Sequence, residues 1–125
     1  MKFLLIFLLT LCLYAGNDGK KEHHLSKDLS SLELTSEQKE VAKGIIKQFR
    51  VDIKAFREFK EKMEDEKESL VMREVLNEDD LQKINQAISQ KASTIESRFL
   101  VQMHTLLTPE QRQKFAHNLE EWEVE

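Results

Sequence analysis

From Ser36 to Thr108 the sequence contains no proline and a single glycine, Gly44. Turns and hairpins depend on such residues, so a stretch of this length without them favours long helices. The composition agrees, because charged residues make up 34% of the chain and are mixed with Leu, Gln and Ala, which are good helix formers. The 125 residues are enough for one domain. We therefore expect an all-α fold.

Apolar residues recur at the helical period in two runs. On a wheel of 100° per residue, the first run falls within an arc of about 80° and consists of Val41, Ile45, Phe49, Phe56, Phe59, Met63 and Leu70. The second falls within about 100° and consists of Leu81, Ile84, Ile88, Ala92, Ile95, Phe99, Met103 and Leu106. A helix over residues 78–106 is about 43 Å long at 1.5 Å per residue, so it must pack lengthwise on another long helix. The polar residues 64–69 leave open a break in the first helix.

The five-residue pattern Leu-Thr-x-x-Gln occurs twice and predicts two helix starts. In each copy the threonine hydroxyl can accept from the backbone N–H of the glutamine, whose side chain can return to the threonine N–H. The residues are Leu34, Thr35 and Gln38 in the first copy and Leu107, Thr108 and Gln111 in the second. Pro109 suits the first helical position of the second copy. We expect the leucines to anchor the chain entry and to bring both helix starts to the base of a hairpin.

A third helix start is predicted at Asn77, which precedes three acidic residues. In the last helix, the pattern predicts one apolar face that is formed by Phe115, Leu119 and Trp122. Together with a break at residues 64–69, the three helix starts predict a four-helix hairpin.

The first 16 residues have the layout of a secretory signal peptide. Lys2 precedes an apolar run over residues 3–13, and the small residues Ala15 and Gly16 follow. The run is short for a bilayer span. Two alternatives remain open, which are an uncleaved anchor and a lipoprotein modified at Cys12. Residues 17–33 are polar and read as a flexible leader, and residues 34–123 form the predicted helical domain.

Charge and cysteine content exclude several classes of function. Without residues 1–16 the chain has 18 basic and 23 acidic residues, so its net charge of −5 does not attract nucleic acid. Cys12 is the only cysteine, and its removal leaves no disulfide and no thiol nucleophile. We find no Ser/His/Asp arrangement, phosphate-binding loop or metal-hydrolase motif, and we expect no enzymatic activity.

The two LTxxQ motifs, one opening the first helix and one opening the last, resemble the Spy/CpxP family of periplasmic proteins. The resemblance covers residues 34–123 and is most specific over residues 96–122, where a long amphipathic helix leads straight into "LTPEQ". A signal peptide is the expected companion of this domain and implies a periplasmic location. The Spy cradle is basic on the side that binds clients, whereas this chain without its signal peptide is net acidic.

The resemblance implies a helical hairpin protomer that pairs antiparallel with a second copy into a cradle-like dimer. Spy-like members bind unfolded or partly folded proteins without ATP, and CpxP-like members also dampen a membrane sensor kinase. Metal-responsive relatives share this architecture and bind zinc or other divalent metals. The resemblance therefore predicts a chaperone-like protein, with a periplasmic metal-responsive regulator as the alternative.

Two sets of residues are candidates for these functions. Apolar residues of a client-binding or dimer face are expected at Val51, Leu100, Val101 and Met63, of which all but Met63 fall outside the core stripes. The other interpretations are scattered surface residues for the first three and core for Met63. Candidate metal ligands are His23, His24, His104 and His117. The spacing of His117 to Glu120 and Glu121 suits a helix pair, but does not complete a site, and surface histidines are the simpler interpretation.

Overall fold

The computed structural model describes residues 29–124, all of which are helical, turn or irregular, without a strand. The chain divides into two compact units, and the boundary falls between Leu34 and Thr35. The described part of the first unit contains a helical end at residues 29–30 and a turn at residues 31–33, with Leu32 and Leu34 buried. The predicted signal peptide, Cys12, His23 and His24 lie outside the described residues. Among residues 29–124, no helix combines the length and apolarity needed to cross a bilayer.

Two long helices form the body of the second unit. Helix α1 covers Ser36–Val71 and helix α2 covers Glu78–Leu106. Phe49 contacts Phe99, whereas Phe59, ten residues later, contacts Lys91, so the two helices run antiparallel as a hairpin. Residues 64–69 are helical, which settles the question that their polar sequence left open. The apolar phase resumes at Leu70, so one continuous helix satisfies the pattern on both sides.

The chain after α2 forms a short helix, α3, over Pro109–His117 and a single 3-10 turn over Leu119–Trp122. The all-α prediction is confirmed, but the described residues hold three α-helices, so the prediction of four is not confirmed. Leu119 is exposed, whereas Phe115 and Trp122 are buried. The prediction of one shared face was wrong for Leu119, because the chain leaves the α-helical period at Asn118.

An aromatic cluster at the base of the hairpin forms the core. The rings of Phe49 and Phe99 stack at 4.1 Å between centroids. Trp122 lies 4.9 Å from Phe99, and Phe115 lies 6.0 Å from Trp122. The two contacts of Trp122 lie within the range of about 4.5–7 Å that is typical of favourable aromatic pairs, and the stacked pair is closer. Thus α3 and the 3-10 turn supply the third layer that a two-helix hairpin lacks.

Among the described residues, the distal half of the hairpin has no such layer. From residue 57 to residue 94 only Ile84 is buried. The other predicted stripe members of this region are half-buried, namely Phe59, Met63, Leu70, Leu81, Ile88 and Ala92. Two helices in contact bury a narrow seam only, and the apolar stripes are wider than that seam.

The buried face of α1 at the base differs from the predicted one. Val41 is exposed, and Ala42 and Ile46 are buried in its place. Ala42 lies about 100° around the helix from Val41. The predicted stripe is the average apolar direction over the whole of α1. At the base, α1 packs against both α2 and the aromatic cluster, so a different face of the helix is buried there.

The capping boxes allow a first test. Thr108 accepts from the Gln111 N–H at 3.3 Å, so Thr108→Ala is expected to lower the free energy of unfolding by about 1 kcal/mol. Thr105→Ala is the control, because its hydroxyl only bonds Val101 within α2 and is exposed. Urea titrations followed by circular dichroism compare the two variants. Equal losses would show that the second box does not contribute as a cap.

Candidate functional site

The two LTxxQ motifs contact each other through their glutamines. Gln38 Nε2 donates to Gln111 Oε1 at 3.0 Å, and Gln111 Nε2 donates back to Gln38 Oε1 at 3.2 Å. Each oxygen also accepts from the backbone N–H of its own motif's threonine, at 3.0 Å for Thr35 and 2.9 Å for Thr108. The two capping boxes therefore form one continuous hydrogen-bonded network, which joins the starts of α1 and α3.

The same network completes the end of α2. The last carbonyls of a helix have no partner within the helix. Gln38 Nε2 also donates to the Leu106 carbonyl at 3.1 Å, and Arg112 Nε donates to the His104 carbonyl at 2.9 Å. All three helix ends at the base are thus linked by side chains from the two motifs and their neighbours.

The prediction that both motifs cap helices is confirmed, since both capping boxes are complete. Leu34 and Leu107 are buried. The direct bond between Gln38 and Gln111 was not predicted. Its signal in the sequence is that both motifs place a glutamine at the third helical position, where one amide can return to the cap and still donate outward.

A groove on one side of the hairpin is the feature that best suits ligand binding. It has a volume of about 400 Å³ and runs between α1 and α2, and its lining consists of Asp52, Ala55, Ala87, Gln90, Lys91, Thr94, Ile95 and Arg98. The groove surface is mostly apolar, and its lining includes two small side chains, Ala55 on α1 and Ala87 on α2, where larger side chains would fill more of the space. No sequence pattern indicated it, since the groove depends on the register between the helices.

Cationic side chains border this groove. Arg98 lies 3.7 Å from Asp52, which also accepts from Gln48 at 2.9 Å. The Lys91 ammonium lies 4.4 Å from the centre of the Phe59 ring. Both cations remain exposed, so they can meet an incoming acidic group while their carbon stems cover apolar surface.

Two predicted face residues lie next to the groove. Val51 precedes Ala55 by four residues and Val101 follows Arg98 by three, and such spacings make neighbours on a helix surface. Their side chains are exposed, with 56% and 65% of their surface accessible. Leu100 and Met63 are half-buried. The helix spacing thus places Val51 and Val101 beside the groove, although neither lines it. Met63 belongs to the half-buried stripe of α1, whereas Leu100 is half-buried outside the stripe of α2.

The described histidines do not form a metal centre. His104 and His117 are both exposed. Across residues 29–124, no three His, Cys, Asp or Glu side chains come close enough together to hold a metal ion.

The fold and the site define a class of protein: an all-α hairpin closed at its base by two bonded LTxxQ capping boxes, with an open amphipathic groove. Residues 20–119 match the model of the family described as "LTXXQ motif family protein", and the chain belongs to this family. The match begins at residue 20, which is N-terminal to the region 34–123 over which the motifs predict the resemblance. No curated protein sequence matches the chain, and no solved structure matches it.

Proposed function

We propose that this protein is a periplasmic, ATP-independent chaperone-like protein that binds unfolded or partly folded proteins. The observation that carries the proposal is the open groove with exposed valines and cations at its border. Membership of the LTXXQ motif family supports it, since such a role is consistent with that family. The binding would need no catalytic group and no cofactor.

The groove is shallow, so a bound segment keeps much of its surface in water. Burial of one or two client side chains supplies modest affinity, at about 25 cal/mol per Å² of apolar area. Exposed cations such as Lys91 and Arg98 speed the encounter with acidic segments. Weak contacts of this kind release the client readily, so it can fold between encounters.

The distribution of charge removes an objection to this proposal, which is that the chain is net acidic. Residues 64–80, around the hairpin turn, contain eight acidic and two basic residues. Residues 38–62 contain eight basic and four acidic residues, and residues 83–114 contain five basic and two acidic ones. Residues 115–125 contain four acidic residues and no basic one. The acidic excess is thus concentrated at the tip and at the C-terminus, and the part of the hairpin that carries the groove is basic.

We also propose an antiparallel homodimer. The distal half of the hairpin leaves its apolar stripe half-buried, and the end of α1 and the following turn expose four large apolar residues, Val71, Met72, Val75 and Leu76. A second copy in antiparallel orientation places its basic half against the acidic tip of the first. This pairing covers the apolar stripe and brings opposite charges of the two copies close together.

The valines at the groove provide the test of function. Val51→Ser combined with Val101→Ser is expected to weaken binding of an unfolded client about tenfold, because each removes about 0.8 kcal/mol of apolar contact. Fluorescence anisotropy of a labelled, permanently unfolded polypeptide measures this, and suppression of aggregation of a denatured protein gives a second measure. Unmodified protein that neither binds the polypeptide nor suppresses aggregation would disprove the proposed function.

Val41→Ser is the matched control for these substitutions. Val41 lies on α1 as Val51 does, is exposed to a similar extent at 52%, and is about 15 Å away along the helix. Client affinity is expected to stay unchanged in this variant. A loss equal to that of the double variant would show that binding follows general surface hydrophobicity and not the groove.

The dimer has a separate test. Sedimentation equilibrium at low salt is expected to give twice the protomer mass, with weaker association at high salt, because salt screens the charges of tip and basic half. Ile88→Asp in the half-buried stripe is expected to yield monomers, and Ser89→Asp, exposed on the same turn, serves as control. A protomer mass for the unmodified protein at low salt would exclude this dimer.

A further inference from the structure

The Leu119–Trp122 turn, which we call the C-terminal clasp, covers the aromatic cluster with one large side chain. The Trp122 ring lies 4.9 Å from Phe99, 6.0 Å from Phe115 and 6.2 Å from Phe49. Only 2% of the residue is exposed. The clasp therefore closes the base of the hairpin over the stacked pair of Phe49 and Phe99.

The indole N–H of Trp122 is buried without a hydrogen-bond acceptor among the described residues. Leaving a buried donor unpaired costs about 1–3 kcal/mol, and this cost disappears when the N–H reaches water. The closed clasp thus carries a penalty that the opened clasp does not. A core tryptophan whose N–H is hydrogen-bonded does not carry this penalty.

The clasp is also a short local element. It is a single 3-10 turn, and Asn118 at its start makes no side-chain capping bond. Segments of this kind open at a lower free energy than the whole fold. Its opening would uncover the Phe49 and Phe99 rings, which belong to α1 and α2 and stay in place with the hairpin. The space left has the size of one indole ring.

We infer that the clasp is an autoinhibitory contact, in which Trp122 occupies a latent site for a large apolar or aromatic side chain of a client. This inference rests on the proposed function for the identity of the ligand. A client side chain competes with Trp122 for the same two phenylalanine rings. The apparent affinity of the latent site is reduced by the fraction of molecules in which the clasp is closed.

Trp122 is the only tryptophan of the chain, so its fluorescence reports on the clasp alone. The probe is reduced and carboxymethylated ribonuclease A, which stays unfolded and has no tryptophan. At saturation, acrylamide quenching of Trp122 is expected to rise about twofold or more as the clasp opens, with unchanged helical circular dichroism. If anisotropy shows that the labelled probe binds but acrylamide quenching of Trp122 does not rise, the inference is overturned while the proposed function stands.

A variant pair tests the same site with a dye, 8-anilinonaphthalene-1-sulfonate, and decides the inference even if no client binds. Trp122→Ala is expected to bind the dye about threefold more tightly or better, because the latent site is always open. Leu119→Ala, on the exposed side of the same turn, is expected to match the unmodified protein. Unchanged or weaker dye binding by a Trp122→Ala protein that keeps its helix content overturns the inference. If that variant unfolds, the quenching measurement on the unmodified chain decides.

Discussion

Replacing Phe99 by alanine is expected to lower the free energy of unfolding by about 3–5 kcal/mol, which is at the upper end of the range for single substitutions. Phe99 is 2% exposed and contacts the rings of Phe49, Phe115 and Trp122. Its removal leaves a cavity between α1, α2 and the C-terminal clasp that none of these elements can fill alone. Since small domains have about 5–15 kcal/mol in total, a large part of the fold's stability is lost.

Urea unfolding followed by circular dichroism measures this loss through the transition midpoint. Val101→Ala is the matched control, because Val101 lies two residues further along α2 and is largely exposed. Its effect is expected to stay within about 0.5 kcal/mol. A loss below about 1 kcal/mol in Phe99→Ala would mean that the aromatic cluster is not the main core.

Replacing Gln38 by glutamate is expected to destabilise the protein by about 1–3 kcal/mol at neutral pH, although the side chain keeps its size. A carboxylate can still accept from the Thr35 N–H, but it cannot donate to Gln111 Oε1 or to the Leu106 carbonyl. Gln111 cannot compensate by turning its amide, since its oxygen already accepts from the Thr108 N–H. The attraction of the helix N-terminus for a negative charge, about 0.3–1 kcal/mol, is too small to offset this.

The dependence on pH has a definite sign. We expect the two carbonyl oxygens that face one oxygen of the new carboxyl to favour its protonated form more than the Thr35 N–H and Gln111 Nε2, at the other oxygen, favour its charged form, so that its pKa in the folded state lies above the unfolded value of about 4.3. Relative to the unmodified protein, the contribution of this carboxyl to stability is therefore greatest below about pH 4.3 and is lost as pH rises through the folded-state pKa. Urea midpoints from pH 4 to pH 8 measure this. Gln113→Glu, exposed on the same helix as Gln111, is the control, and an equal change in both variants would rule out the bonded glutamine pair.

Local features of this fold were predictable because they depend on residues close together in the chain. The capping boxes at Thr35 and Thr108, the helix start at Asn77 and the extent of α2 follow from side chains within one turn of each other. The apolar stripe of α2 was predicted in phase, and Ile84, Ile95, Phe99 and Met103 are its buried members.

The candidate groove was predictable only in part. Periodicity singled out Val51 and Val101 as apolar residues outside the seam, and both are exposed beside the groove. The groove itself depends on Ala55 and Ala87, which belong to different helices. Nothing in either helix alone indicates that these two small residues will line the same groove.

The amino-acid sequence by itself determined the all-α class, the starts of the three helices, the extent of α2 and the family, because each is encoded by nearby residues or by a repeated motif. Only the tertiary structure decided that Gln38 bonds Gln111, that Ala42 and not Val41 is buried, and that Trp122 is enclosed with an unpaired N–H. Each of these depends on distances between residues far apart in the chain. Such distances follow from how the helices pack, and the period of a single helix contains no information about its neighbour's register.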